Sequence, residues 1–142
     1  MAEQLSVFVD NKPGRLNALT GVLRDHRINI RAMTIANHRD YGVAKLLVSD
    51  PRLAQRALME QGFAAALQSV LAIVIEDRPG GLHAALEILA ERQINVLDAY
   101  GFVVAPGQRA AWCMEVDDPA EAERLLTTHG LQMLTARELY QL

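Results

Sequence analysis

The sequence predicts an α+β fold made of two copies of one small βαββαβ unit, and two repeated patterns indicate this. A strand-like apolar run that ends in a Pro-Gly turn occupies residues 7–16 and returns 66 residues later, at 73–82. At the same spacing, Ile28-Asn29-Ile30 returns as Ile94-Asn95-Val96. A long period that occurs only twice indicates a duplicated domain, because a solenoid needs at least about three repeats.

The first copy shows strand and helix patterns in the order βαββαβ. Pro13 fits the first turn of a helix that extends to about Arg27, because Pro lacks the N–H that a first helical turn leaves unpaired. Asp50-Pro51 begins a second helix, which ends at Gly62 because Gly favours the residue after a helix. Alternating or continuous apolar residues predict the strands, at 4–10, 30–37, 43–49 and 63–68.

The second copy repeats this order. One helix follows Pro79 and another extends from Pro119 to Gly130. The expected strands are residues 70–76, 96–104, 110–116 and 131–136. No linker rich in Gly, Ser or Pro separates the copies, so we expect domains at 1–68 and 69–142 that pack as a pseudo-symmetric pair. Each would be a ferredoxin-like antiparallel sheet with both helices on one face.

Composition narrows the class of protein. Of the 142 residues, 51% are hydrophobic and 22% charged, which is typical of a soluble globular chain. The longest apolar run, 70–75, is too short to cross a membrane, and the first residues do not resemble a secretory signal. Cys113 is the only cysteine, so no internal disulfide forms and a cytoplasmic location is expected. RNA-binding modules share the βαββαβ order, but 5% aromatic residues and a net charge of −3 argue against nucleic acid.

The Pro-Gly turn is the part of each copy that suits a ligand. The helix that follows it begins with unpaired backbone N–H groups and a partial positive charge, which favour a carboxylate. Asn11 can donate or accept hydrogen bonds, Asp77 replaces it in the second copy, and Gly14 would let a ligand approach the backbone. A single such turn is more typical of helix capping than of a ligand site, whereas two in register are harder to explain that way. Asn29 and Asn95 also suit left-handed residues that close the helix-to-strand turn.

No catalytic or metal-binding pattern is present in the sequence. The four histidines are scattered and lack the spacing of metal ligands. Cys113 lies in an apolar run beside Trp112, which favours a buried, inert thiol. Asp117, Asp118 and Glu121 are typical of a helix N-terminus rather than of an acid–base pair. We therefore expect neither an enzyme nor a bound cofactor or metal.

The Asn/Asp-x-Pro-Gly-x-Leu turn, the Ile-Asn-Ile/Val step and the element order together resemble the ACT domain, in tandem over nearly the whole chain. The resemblance implies binding of a small molecule, most often an amino acid, between domains placed side by side. Ligands of such domains contact the first strand-to-helix turn of one domain and the Asn-led strand edge of its neighbour. The candidate ligand-binding residues are Asn11, Lys12, Pro13, Gly14, Arg15, Leu16 and Asn29, with Asp77, Arg78, Pro79, Gly80, Gly81, Leu82 and Asn95.

The sequence therefore predicts a non-catalytic, allosteric regulatory protein that binds a small amino acid between its repeats or between the subunits of a homodimer. A regulated enzyme would be its partner, with no role for nucleic acid or membrane. The alternative is a regulatory subunit without a ligand, such as the small subunit of an acetolactate synthase, which would hold its enzyme through sheet edges. The duplicated turn argues mildly against this alternative, since the second half of that subunit usually lacks the Pro-Gly turn.

Overall fold

The computed structural model describes residues 1–142, which form two compact units. The N-terminal unit is Glu3–Gln68 with Gln141, and the C-terminal unit is Ser69–Tyr140 with Met1, Ala2 and Leu142. The elements are, in chain order, β1 Ala2–Asp10, α1 Arg15–Asp25, β2 Ile30–His38, β3 Tyr41–Val48, α2 Pro51–Glu60, β4 Ala64–Glu76, α3 Gly81–Glu91, β5 Val96–Ala105, β6 Arg109–Val116, α4 Pro119–Thr128 and α5 Ala136–Tyr140. The expected strands 63–68 and 70–76 are one continuous strand, β4.

The N-terminal unit has the strand order β2-β3-β1-β4. β3 pairs antiparallel with both β1 and β2. Alternate residues of β1 are buried, as the period-two pattern predicts, and Leu5 and Val7 face the core. Leu19 of α1 and Leu58 of α2 lie in that same core, so both helices cover one face of the sheet.

The C-terminal unit has the order β4-β6-β5, again antiparallel. Ile73 of β4, Leu89 of α3 and Leu126 of α4 share its core. Helices on one face of an antiparallel sheet in each of the two repeats confirm the α+β fold class predicted from the sequence.

The expected final strand over 131–136 is wrong for most of its length. Only Met133 forms an isolated antiparallel bridge, opposite Ile73, and α5 begins at Ala136. Thr135 and Glu138 form a capping box that starts this helix: the Glu138 carboxylate accepts from Thr135 N at 2.8 Å, and the Thr135 hydroxyl accepts from Glu138 N at 3.2 Å. These bonds favour a helical turn where apolar residues alone suggested a strand.

The short helix α5 lies against the face of the C-terminal sheet that α3 and α4 leave open. Cys113 and Tyr100 are cross-strand partners on that face, and Cys113 is fully buried. The side chain of Tyr140 acts electrostatically on Tyr100, and Leu139 is fully buried. The sheet face around Cys113 is therefore covered, whereas Leu97 and Val103 of β5 are exposed.

Two expectations about the turns are wrong. Helix α1 begins at Arg15 rather than at Pro13, because Gly14 precedes it with φ of +83°. The left-handed residues that follow α1 and α3 are Arg27 and Gln93, with φ of 56° and 58°, and not the two asparagines.

Candidate functional site

In the N-terminal unit, Asn11 joins the Pro-Gly turn to the β2–β3 hairpin. Its backbone N–H donates to Asp40 O at 2.9 Å, and its side-chain amide donates to Arg39 O at 2.9 Å. The Asn11 side chain therefore already has a partner within its own unit.

Asp77 makes the corresponding connection in the C-terminal unit with the opposite polarity. Its backbone N–H donates to Gln108 O at 3.1 Å, and its carboxylate accepts from Gly107 N at 2.7 Å. The β5–β6 hairpin thus presents an N–H group where the β2–β3 hairpin presents a carbonyl. This reversal explains why an amide occupies the first turn and a carboxylate the second.

The helix that follows each Pro-Gly turn has no side-chain cap. Gly14 and Gly80 precede α1 and α3 with φ of +83° and +85°, and neither helix start has a side-chain capping hydrogen bond. The first N–H of each helix, of Arg15 and of Gly81, donates to a backbone carbonyl of the turn at 3.3 and 3.0 Å. By contrast, α2 and α4 are capped by the carboxylates of Asp50 and Asp118, which accept backbone N–H groups at 3.0 and 3.1 Å. The N–H groups that follow in the first turn of α1 and α3 have no side-chain partner, which gives each Pro-Gly turn the capacity to bind an anion.

A cleft of about 290 Å³ lies at the first Pro-Gly turn. Five residues of this cleft are absent from the candidates predicted from the sequence: Val9, Asp10, Asn17, Ile35 and Asn37. Asn37 faces Gly42 across the hairpin, and its Oδ1 lies 2.6 Å from where a Cβ on Gly42 would stand. The residues that line the cleft are Val9, Asp10, Asn11, Lys12, Pro13, Gly14, Leu16, Asn17, Ile35 and Asn37.

Arg15 and Gly81 occupy equivalent places in the repeat but differ in surroundings. The Arg15 guanidinium lies over the ring of Phe63, with its carbon 4.9 Å from the ring centroid. A Cβ on Gly81 would overlap the carbonyl oxygen of Glu76, so this position of the C-terminal unit accepts only glycine without a backbone shift.

The other expected residues of the two turns are accessible. Arg78 is paired with Glu76, which precedes it on β4. Leu16 and Leu82 are half-buried. Lys12, Pro13, Gly14, Arg78, Pro79 and Gly80 are exposed.

Asn29 and Asn95 lie far from the Pro-Gly turn of their own unit. The Asn29 N–H donates to the Ser49 hydroxyl and its carbonyl accepts from Ser49 N, both at 2.9 Å. The Asn95 N–H likewise donates to the Asp117 carboxylate at 3.0 Å, and its carbonyl accepts from Asp117 N at 3.1 Å. Each precedes a strand whose other end reaches the hairpin, so a strand length of roughly 25–30 Å separates the two motifs. Within a single unit the structure does not bring them together.

The structure shows neither a metal site nor a reactive thiol. The structure has no group of three or more His, Cys, Asp or Glu side chains placed to hold a metal ion. Burial raises the pKa of the Cys113 thiol to about 12, so it is protonated and unreactive near neutral pH. None of the helices has the length and hydropathy needed to span a membrane.

These features define a tandem α+β protein in which each repeat has a hairpin-linked Pro-Gly turn and an uncapped helix. The chain belongs to the ACT domain pair family, whose model matches residues 1–142. This confirms the resemblance seen in the sequence. No curated protein matches the chain at a significant level.

Solved structures agree with this fold. Protein BT0572 from Bacteroides thetaiotaomicron is 33% identical, with a TM-score of 0.94 over 99% of this chain and 96% of that one. The ligand-free regulatory subunit of aspartate kinase from Thermus thermophilus is 15% identical, with a TM-score of 0.64 over 90% and 92%. The regulatory subunit of aspartate kinase from Thermus flavus is 17% identical, with a TM-score of 0.60 over 89% and 90%.

Proposed function

We propose that this chain is a non-catalytic regulatory protein that binds a small amino acid at its Pro-Gly turns. Its family and its structural likeness to regulatory subunits of aspartate kinase support this role. Binding would bias the assembly of the chain, as a homodimer or with an enzyme that it regulates, and so act by shifting a population.

The contrast between the two kinds of helix start carries the proposal. Asp50 and Asp118 cap α2 and α4, whereas α1 and α3 begin without a cap, after glycines with positive φ. The amino acid's carboxylate would receive the N–H groups at the start of α1 or α3, where the helix dipole favours negative charge. Exposed polar groups of the turn, including Asn17 and Asn37 at the first one, would receive the ammonium group.

A thermal-melt screen against the twenty amino acids at millimolar concentration tests this function. A ligand present at about 100 times its Kd stabilises the folded state by about 2.7 kcal/mol, which raises the melting temperature of a chain of this size by several degrees. A selective shift with one amino acid or a chemically related few is expected. No shift with any of them would overturn the proposal and favour a ligand-free interaction subunit, identified by the enzyme that co-purifies with it.

Glycine-to-asparagine variants locate the ligand. Asparagine tolerates positive φ, and a Cβ on Gly14 or Gly80 meets no atom within 4 Å, so Gly14→Asn and Gly80→Asn should fold. Each new side chain would project into the space in front of the helix start and weaken ligand binding there. Gly62→Asn is the matched control, since Gly62 has φ of +87° and equally open space but lies after α2. Wild-type affinity in both turn variants would refute binding at the turns.

A further inference from the structure

The C-terminal unit contains an open surface cavity of about 480 Å³ beside α3, and most of its lining residues are exposed. This volume is within the range of about 300–1,000 Å³ that is typical of small-molecule sites. Its apolar wall comes from β4, from α3 and from the segment that follows α4, with Ile75, Ala84, Ile88 and Leu131 as principal contributors. Charged and polar side chains form the rest of the lining.

In the N-terminal unit, the corresponding positions fill this space themselves. Arg15 corresponds to Gly81 in the repeat, and Phe63 corresponds to Leu131. The Arg15 guanidinium lies over Phe63, with 4.9 Å between its carbon and the ring centroid. The Nε of Arg15 is buried without a hydrogen-bond partner and the residue is half-buried, so the side chain lies against the unit. Gly81 and the smaller Leu131 leave the same region of the C-terminal unit open.

The charged rim of the cavity suits a zwitterion. Arg109 lies directly opposite Glu76 across β4 and β6, and Glu76 forms its ion pair with Arg78. The Arg109 guanidinium has no ion pair of its own and can receive a carboxylate. Glu76 retains free acceptor positions for an ammonium group. The Nδ1 of His129 lies 2.8 Å from Leu125 O, so Nε2 is the ring nitrogen left without a partner.

We infer that the C-terminal unit binds one α-amino acid with an apolar side chain in this cavity, whereas the N-terminal unit binds none in the corresponding place. The apolar wall takes the side chain, and the rim takes the carboxylate and the ammonium group. This rests on the proposed amino-acid function, places the carboxylate on Arg109 instead of on the N–H groups of a helix start, and adds the ligand class, the unit and a stoichiometry of one per chain. The two repeats are thus unequal: Arg15 and Phe63 close one, and Gly81 leaves the other open.

Isothermal titration calorimetry with leucine, isoleucine, valine, methionine and phenylalanine, against serine, aspartate and lysine, tests this inference. We expect binding of at least one apolar amino acid at one site per chain, and binding of the polar ones at least about tenfold weaker. Ala84→Phe fills the cavity from α3 and should weaken binding at least about tenfold. Ala90→Phe places the same ring at an exposed position of the same helix outside the cavity, and should bind as the wild type does.

Arg109→Gln is an independent variant at an exposed position, and it tests ligand binding in the cavity if Ala84→Phe does not fold. Losing a charge-assisted hydrogen bond should weaken binding about 10- to 100-fold. Arg137→Gln removes an exposed arginine outside the cavity and serves as its control.

The outcomes distinguish a failure of the proposed function from a failure of the cavity inference. Wild-type protein that binds no amino acid overturns both the proposed function and the cavity. Amino-acid binding that is unchanged in Ala84→Phe and Arg109→Gln, that prefers polar ligands, or that shows two sites per chain overturns the cavity inference and leaves the proposed function standing.

Discussion

At the scale of single residues, the polarity of a hydrogen bond explains the main difference between the two turns. Asn11 donates its side-chain amide to the carbonyl of Arg39, while Asp77 accepts from the N–H of Gly107. The sequence shows the change from amide to carboxylate but not the group that faces each side chain. Only the hairpin, brought close by strand pairing, reveals that both residues hold their turn in place.

Replacing each of these side chains by the other type should have unequal effects on the free energy of unfolding. Asn11→Asp places a carboxylate against the carbonyl of Arg39 and should cost about 1 kcal/mol, because a donor is lost and two acceptors meet. Asp77→Asn keeps an acceptor for Gly107 N and should cost less than about 0.5 kcal/mol. Urea denaturation measures both, with Asn29→Asp, at an exposed side chain, as the control. Equal costs for the two exchanges would refute this explanation.

At the scale of elements, the two cores place large and small residues differently across neighbouring strands. Ile35 pairs with Ala44 in the N-terminal unit, whereas Gly101 pairs with Trp112 at the equivalent position of the C-terminal unit. A Cβ on Gly101 would overlap the Trp112 ring. The small residue on β5 therefore compensates for the large one on β6, as close packing requires.

Gly101→Ile should destabilise the protein by about 1–3 kcal/mol through overpacking against the indole. Trp112→Ala should cost about 3–5 kcal/mol by leaving a cavity. The double variant recreates the Ile–Ala pair of the N-terminal unit and should cost at least about 1 kcal/mol less than the sum of the two. A double-mutant cycle by chemical denaturation measures this coupling, and strict additivity would show that the two positions do not compensate.

The stability of helix α5 should depend on its capping box. Hydrogen bonds from Thr135, chiefly from its backbone N–H, lower the pKa of Glu138, so the cap is present in the charged form at neutral pH and is lost as the pH falls through that lowered pKa. Glu138→Gln should loosen α5 and speed the reaction of the buried Cys113 thiol with a disulfide reagent in native buffer. Glu87→Gln, an exposed change on α3, is the control. An unchanged thiol reaction rate in Glu138→Gln would show that α5 does not shield Cys113.

At the scale of the whole molecule, a thiol and a phenol of the C-terminal sheet make the free energy of unfolding depend on pH above neutrality. Burial raises the pKa of Cys113 from 9.0 to about 12, and burial also raises the pKa of Tyr100 far above its ordinary value. Both groups stay neutral in the folded protein while they ionise in the unfolded chain. Their contribution is complete below about pH 9 and is lost as the pH rises through the folded-state values.

The free energy of unfolding should therefore fall above pH 9, and Cys113 should account for up to about 1.4 kcal/mol of that fall per pH unit. Urea denaturation at pH 8, 9.5 and 10.5 measures the slope. Cys113→Ala removes one titrating group and should flatten it, whatever its cost at pH 8. A slope that is identical in wild type and variant would contradict the buried, protonated thiol.

Much of the fold follows from local patterns in the sequence. Alternating or continuous apolar residues predict the strands β1, β3 and β6. Asp-Pro pairs predict where the capped helices α2 and α4 begin. Helix α5 was missed, although its Thr-x-x-Glu signature at Thr135 is a recognisable capping box. The division into domains at 1–68 and 69–142, and ligand contact by the fourteen candidate residues, stay predictions.

By itself the sequence determined the duplication, the α+β class and the ACT family, because these depend on periodicity and on turn residues that act over a few positions. Tertiary structure alone decided which groups the turns face and where space remains. It placed Arg15 over Phe63 and left the region beneath Gly81 open, since both outcomes depend on side chains some 50 residues apart that only the folded sheet brings together. Tertiary structure also separates Asn29 and Asn95 from their Pro-Gly turns, because the two motifs lie at opposite ends of a strand.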